Sequence, residues 1–338
     1  MHVASGREWR GGQRQVWLLA AAMHRLGANV SVVTGRGTEL ERRLVLDGVP
    51  VHPVRWTVGL DPRVIARLSG IVRPHDLMHA HDNHAHALAD IAARFNGARV
   101  IVTRRVALPL RHPARWQRAA AVIALSRAIA DQLASADVPL QRIHVIPPGT
   151  PAPDGDAITR HESAPPLLVC IAALTPEKGV HVLLDAMPHV LAAHPDVRLI
   201  VAGAGPEHAT LQQRADSLGV THAVQLVGHV PDPEQLLARA TIAVQPSLSE
   251  GFGSSVVDAM TRGVPVVASD TGGLPDALAM GGGVLVAPGK ADALAAAIVS
   301  LVGDASRRKQ IGAEGRAAAA RFTVHRLVAA TLDVYRSA

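Results

Sequence analysis

Short apolar runs alternate with longer segments of helical period along nearly the whole chain, and nothing else in the sequence narrows the fold as much. Parallel strands cannot be joined by tight turns, so each needs a crossover, and a helix is the usual one. Strands are expected near His2 to Ala4, Asn29 to Thr34, Leu77 to His79, Arg99 to Thr103, Ala121 to Ala124 and Ile143 to Ile146. A second series is expected near Leu167 to Ala172, Arg198 to Ala202, Val224 to Val227, Ile242 to Gln245, Pro265 to Ala268 and Gly283 to Val286. Helical patterns fill the gaps: Gln13 to Leu26, His84 to Phe95 and Arg127 to Ser135, then Gly179 to Ala193, Pro206 to Leu218, Pro233 to Ala238, Ser255 to Arg262, Ala291 to Val302 and Ala305 to Arg321. Gly27, Gly219 and Gly263 stand just past three of these patterns, where a left-handed residue ends a helix at little cost.

Between the two series lies PPGTPAPDGDAITRHESAPP, residues 147–166, which has no apolar period and reads as a linker. A chain of 338 residues also exceeds the length at which one core keeps growing, so two domains are expected. The fold class is α/β: two facing Rossmann-like domains, 1–150 and 151–322, each with a parallel sheet, and a cleft between them for ligands. The last segment, 323–338, is a further helical pattern.

Composition excludes some functions and leaves others open. The formal net charge of +6 and a sequence pI near 10.5 favour an anionic partner: nucleic acid, an acidic membrane surface or a nucleotide-type ligand. Three Phe, four Trp and one Tyr give few stacking platforms, which argues against nucleic acid. The basic residues form no long run, and their density rises only in Arg104 to Arg118. The single Cys170 lies in LLVCIAAL, so an intramolecular disulfide is excluded and the thiol is expected to act as a small buried hydrophobe. No apolar segment is long enough to span a bilayer and MHVASGREWRGG has no signal-peptide core, so a cytoplasmic protein is expected.

The stretch SEGFGSSVVDAM, residues 249–260, places Gly251, Phe252 and Gly253 before a helix whose N-cap is expected to be Ser254 or Ser255. Free amides and the positive end of the helix dipole make such a start an anion site, and glycines let a phosphate approach the backbone. Ser255-x-x-Asp258 also reads as a capping box, so Asp258 has two readings. Glu250 follows the strand IAVQ, at the sheet edge where α/β proteins hold ligands; it is either a solvated loop acid or a group that binds hydroxyls. Lys178 opens a helix against the dipole, an arrangement that makes sense if its ammonium meets a phosphate and is otherwise a surface lysine.

Other motifs are weaker. VAGAGPEHA lacks the third glycine of the dinucleotide fingerprint, since His208 stands there, and a tight strand-to-helix turn explains it as well. RGGQRQVWLL, with Gly11 and Gly12, is an anion cradle or a simple turn, and without a following lysine it is no P-loop. HAHDNHAH puts histidines two apart on one strand face, as a metal site would, but Asp82 and Asn83 suit a helix cap before His84, and no metal is expected. His81 stays of interest as a hydrogen-bonding group at a strand end. No Ser-His-Asp order, cysteine nucleophile or zinc motif stands out.

In these residues the chain resembles retaining glycosyltransferases of family 4, which have the GT-B fold. The resemblance runs through the glycine pair Gly11 and Gly12, VIALSRAIADQL leading to VIPPGT, TPEKG, VAGAGP, LVGHVPD, EGFG with an acid eight residues after Glu250, RGVPVVASDTGG and GVLVAPG, in family order. It implies sugar transfer from a nucleoside-diphosphate sugar, with retained configuration and no metal or other cofactor, to a glycan or lipid-linked acceptor. Cell-surface polysaccharide or lipopolysaccharide synthesis at the cytoplasmic membrane face would be the setting, with peripheral contact to anionic lipid and no nucleic acid. By position, Glu250 matches the acid beside the transferred sugar, Asp258 the ribose ligand, Lys178 a cation on the diphosphate, and Phe252, Gly253, Ser254 and Ser255 the loop whose amides hold it. Gly228 and Val230 match the base pocket, and Gly12 the loop closing over donor or acceptor. Gly11, His81, Arg104 and Arg105 fall on the acceptor side, and 323–338 would cross back to the first domain. There are three departures: the second acid is Asp258 where the family has Glu, PPGT stands where the family usually shows an Asn and Asp near the linker, and Ala173 stands where the family commonly has a diphosphate-binding Arg. With that cation missing, a non-catalytic nucleotide-sugar-binding or membrane-docking protein of the same fold is the alternative.

Overall fold

The computed structural model of the chain describes residues 1–56, 59–73, 76–107, 109–151, 165–231 and 233–338. The chain divides into two compact units, Met1–Pro151 with Phe322–Ala338, and Ala152–Arg321. The expected linker falls mainly on 152–164, outside the described residues.

The first unit runs β1 His2–Val3, α1 Gly11–Arg25, β2 Val32–Gly35, α2 Glu39–Leu46, β3 Val51–Val54, α3 Pro62–Ile71, β4 Leu77–Ala80, α4 Asn83–Asn96, β5 Arg99–Arg104, α5 Pro113–Arg118, β6 Ala121–Ala124, α6 Arg127–Ala134 and β7 Ile143–Val145. Among the described residues the strands form a seven-stranded sheet in the order β3-β2-β1-β4-β5-β6-β7, with every neighbouring pair parallel. The second unit runs β8 Leu167–Ile171, α7 Val180–Ala193, β9 Arg198–Ala202, α8 His208–Ser217, β10 Val224–Gly228, α9 Pro233–Arg239, β11 Ile242–Gln245, α10 Ser254–Thr261, β12 Val266–Ser269, α11 Leu274–Leu278, β13 Gly283–Val286, α12 Ala291–Gly303 and α13 Ala305–Ala319. Its described strands form a six-stranded parallel sheet, β10-β9-β8-β11-β12-β13. Helix α14, Val324–Ser337, returns to the first unit and packs on α1.

Strands such as β11 and β12 are buried at every position, which is why they read as unbroken apolar runs. The core of the first unit joins Leu19, Met23, Leu44, Ile101 and Ile123 to Leu327 and Val334 of α14. In the second unit Leu168, Leu183, Leu199, Val244, Ile298 and Leu301 meet in one cluster. Cys170 is part of that cluster, and burial pushes its thiol up to about 12, so it is chemically inert. Among the described residues no helix is long and apolar enough to cross a membrane.

The segment between β2 and β4 departs from the sequence-based expectation, which placed no element there. It forms α2, β3 and α3, with Thr38 accepting from the Glu41 amide at 3.3 Å to start α2. β3 carries Pro53, and it escapes the apolar-run pattern because it is the edge strand, where one face of the ladder is unpaired and a proline is tolerated. Helices α5 and α11 were also unexpected; both are short, with proline in the first turn.

Both sheets reverse direction at one point. The first grows from β1 through β2 to β3, then resumes with β4 on the other side of β1; the second grows from β8 to β10, then resumes with β11 beside β8. Connections leave such neighbouring strands towards opposite faces and open a crevice at their carboxyl ends.

Candidate functional site

In the second unit the loops after β8 and β11 meet at that crevice. The first loop carries Lys178 on a single 3-10 turn, Pro176–Lys178, closed by Gly179 in a left-handed conformation at φ +63°. Lys178 does not lie in the helix itself: it ends the 3-10 turn just before Gly179, the N-cap of α7, which begins at Val180. The second loop locks onto this turn, because the amides of Leu248 and Ser249 both donate to the Glu177 carbonyl, at 2.9 and 3.1 Å. A side chain at position 179 would stand 2.1 Å from the Pro246 carbonyl oxygen, so only glycine allows the two loops to approach.

This interlock brings Lys178 Nζ to 2.7 Å from Glu250 Oε2, with the side chains 22% and 11% exposed. Ser247 Oγ at 3.2 Å and Gln245 Nε2 at 3.3 Å donate to the same oxygen, and the Gly251 amide donates to Oε1 at 3.1 Å. Glu250 is thus an acceptor held by several donors, which suits binding of hydroxyls and not attack on carbon. A third loop fixes its backbone: Gly273 donates to the Glu250 carbonyl at 3.2 Å, and Gly272, at φ +56°, lies so close that a Cβ would sit 1.8 Å from that oxygen.

Helix α10 starts beside the pair. Its N-cap is Gly253, left-handed at φ +89°, and no side chain caps this end. The expectation of Ser254 or Ser255 as cap is corrected, because the Ser255 hydroxyl donates instead to Gln245 Oε1 at 2.9 Å. Nor is Ser255-x-x-Asp258 a capping box, since Ser255 lies inside the helix. An uncapped, glycine-led start leaves the dipole end open to an anion. Asp258 is buried in the same helix, Ser254 is partly exposed and Phe252 is packed in the interior. Gly228 and Val230 lie at the carboxyl end of β10, two strands from β8.

The glycines of VAGAGP serve packing. Leu174 donates to the Ala204 carbonyl at 3.0 Å and Glu207 to the Leu174 carbonyl at 3.1 Å, so the loop lies flat on 172–174, where a Cβ at 203 or 205 would overlap backbone.

The first unit has its own crevice, after β1 and β4. Helix α1 opens there at Gly11 and Gly12, with no side-chain cap and no acid in its first turn. Asp82 caps α4 by accepting from the Ala85 amide at 2.8 Å, and it also accepts from the Ser5 amide at 2.7 Å. The register His2↔His79 sets the histidines of neighbouring strands together, and the ring nitrogens of His2, His79 and His81 lie within 4.8 Å of one another. Sequence reasoning missed His2; only the adjacency of β1 and β4 reveals it.

The geometry of this cluster is that of hydrogen bonds. His2 Nδ1 and His81 Nε2 are 2.8 Å apart with the rings 8° from parallel, and Arg105 Nη2 donates to His81 Nδ1 at 2.9 Å. A guanidinium always donates, so His81 carries its proton on Nε2 and donates that N–H to His2 Nδ1. His79 is held by Tyr335 and Thr103, each at 2.6 Å. A bound cation would displace these contacts and face Arg105, so the donor set does not suit a metal. Burial, with Arg105 beside them, holds all three rings neutral, His2 down to about 3. His81 is itself buried, and the more exposed Arg105, lowered to about 10 by burial, is the group it positions. Arg104 is buried, with its guanidinium 5.0 Å above the Trp116 ring.

The model of "Glycosyl transferases group 1" matches residues 154–318 and that of "Glycosyltransferase Family 4" matches residues 9–152. A GDP-mannose-dependent alpha-(1-6)-phosphatidylinositol monomannoside mannosyltransferase of Mycolicibacterium smegmatis is 31% identical over 291 residues, 76% of this chain and 75% of the relative. The chain belongs to glycosyltransferase family 4. A monoacylated-lipid counterpart from Corynebacterium glutamicum is 33% identical over 182 residues, where the match spans half of this chain and 47% of the relative. The fold is GT-B: Anabaena HepE, solved with UDP and glucose, superposes with a TM-score of 0.85 over 100% of this chain and 99% of that one, at 21% identity. Within this family 4 enzyme, Gln245 and Ser247 are the residues that sequence reasoning passed over; polar side chains at the end of the apolar run IAVQPS are the signal.

Proposed function

We propose that this glycosyltransferase moves a sugar from a nucleoside-diphosphate sugar to a glycan or lipid-linked acceptor, with retention and without a metal. The observation that carries the reading is the Lys178–Glu250 pair beside the uncapped start of α10 at the second sheet's reversal point. GDP-mannose in the names of the mycobacterial and corynebacterial relatives, and UDP in the Anabaena neighbour, support the donor class.

In this reading the α10 amides and Lys178 hold the diphosphate, where negative charge grows as the bond between the sugar carbon and the phosphate oxygen breaks. The acceptor oxygen forms the new bond on the same face, and its proton goes to the departing phosphate oxygen, so no protein base is required. Glu250 orients the sugar through its hydroxyls, Asp258 meets the ribose, and the Gly228 to Val230 backbone meets the base. Arg105 at the first unit's crevice, set by His81, faces an anionic acceptor. Synthesis of cell-surface polysaccharide or lipopolysaccharide at the cytoplasmic face, with the exposed Arg111 and Arg118 of the basic stretch against anionic lipid, fits this assignment.

The test supplies UDP-, GDP- and ADP-sugars with membrane extract and follows nucleoside diphosphate release and sugar incorporation. Transfer is expected with one of them and should persist in EDTA; activity lost in EDTA and restored by magnesium would overturn metal independence. Nucleotide binding without any transfer would leave a binding protein of the same fold.

A further inference from the structure

Within the loops at the carboxyl ends of β8 to β12, Lys178 is the only lysine or arginine, because Ala173 and the residues of 203–207, 229–232, 246–253 and 270–273 include none. That one ammonium is already committed to Glu250 Oε2 at 2.7 Å, and the loops presenting both residues are pinned to each other through Glu177 and Gly179. A diphosphate at α10 finds no other lysine or arginine in these loops, so it has to share or draw off the ammonium that Glu250 holds. We infer that Glu250 is a specificity determinant which competes with the bound diphosphate for Lys178, and so favours the intact sugar nucleotide over the bare nucleoside diphosphate. The inference rests on the proposed donor site.

The physical reason lies in what replaces the lost contact. Glu250 is 11% exposed, and once Lys178 turns to phosphate its carboxylate keeps only the neutral donors Gln245, Ser247 and the Gly251 amide. A sugar nucleotide brings hydroxyl donors to that carboxylate and restores its solvation. A bare nucleoside diphosphate brings none and leaves two anionic groups facing one cation, which is unfavourable in a partly desolvated site. Release of the spent nucleotide follows from the same imbalance: when the sugar has left, Glu250 reclaims Lys178.

The experiment measures dissociation constants for UDP, UDP-glucose, GDP and GDP-mannose by calorimetry on the wild type, Glu250→Gln, Lys178→Met and the double variant, with thermal melts to confirm folding. Glu250→Gln should tighten the bare nucleotide by roughly five- to tenfold without tightening the sugar nucleotide, because the freed ammonium no longer has a rival. In the Lys178→Met background the same substitution should change nothing. An unchanged ratio of the two affinities in Glu250→Gln, or weaker binding of the bare nucleotide, overturns the competition. If instead Lys178→Met binds every nucleotide like wild type, it is the donor-site reading that fails. Should Glu250→Gln not fold, Glu250→Ala reads the same ratio.

Discussion

Lys178 meets Glu250 through one short contact in a half-open site, and what each residue contributes depends on the state in which it is needed. Replacing Lys178 with alanine removes a charged hydrogen bond to the diphosphate, worth about 1.5–3 kcal/mol, so affinity for the sugar nucleotide should fall by roughly 10- to 150-fold in a titration. Glu250→Ala should abolish transfer while the sugar nucleotide still binds, a split that single-turnover kinetics and calorimetry separate. Both residues were legible in the sequence because each is chemically out of place: a lysine at a strand-to-helix turn and an acid beside glycines. Their partners were harder to see. Gln245 and Ser247 are short-range neighbours of Glu250 whose only signal is polarity at the end of an apolar run, and His2 reaches His81 only because β1 and β4 are neighbours.

At the scale of elements, the site is three loops held by backbone contacts that tolerate no Cβ. Gly272→Ala would both force a left-handed residue to carry a side chain, costing about 1–2 kcal/mol, and drive a methyl group into the Glu250 carbonyl. The loop can yield only by moving Glu250, so kcat should drop at least tenfold while the thermal midpoint shifts by a few degrees; a variant with wild-type kcat would show that the loop is not a positioning element. Strands β6, β9, β11 and β13 have the bounds that the sequence suggested; β6 and β11, buried at every position, leave uninterrupted apolar signals, and β13 keeps its apolar run although it is a half-exposed edge strand. β3 was lost to its proline and its edge position, and the start of α10 was misplaced by one residue because Gly253 takes the cap while Ser255 turns to Gln245.

Taken whole, the molecule concentrates buried neutral histidine in one of its two units. His2 and His86 are both held down to about 3 by burial, and His79 and His81 well below 6.5. Unfolded histidine titrates near 6.5, so between that value and about 3 the unfolded chain binds more protons than the native one. The stabilisation is complete above 6.5 and is lost as the pH falls through this window, at about 1.4 kcal/mol per pH unit for each such group. Trp9, Trp17, Trp56 and Trp116 all belong to the first unit, so tryptophan fluorescence in a denaturant titration reads that unit alone. Its midpoint should fall steadily from pH 6.5 to 5, a range above the ordinary carboxylate values. His86 gives the cleanest test, since it packs edge-on to Trp116 with centroids 4.7 Å apart and both ring nitrogens are buried without a hydrogen-bond partner. In His86→Leu the slope with pH should lessen by about 1.4 kcal/mol per unit, and stability at pH 7 should hold or rise, because an unsatisfied polar ring costs about 1–3 kcal/mol to bury. An unaltered slope would mean that His86 is already protonated in the native state, with Asp90 one turn further along α4 as its counter-charge.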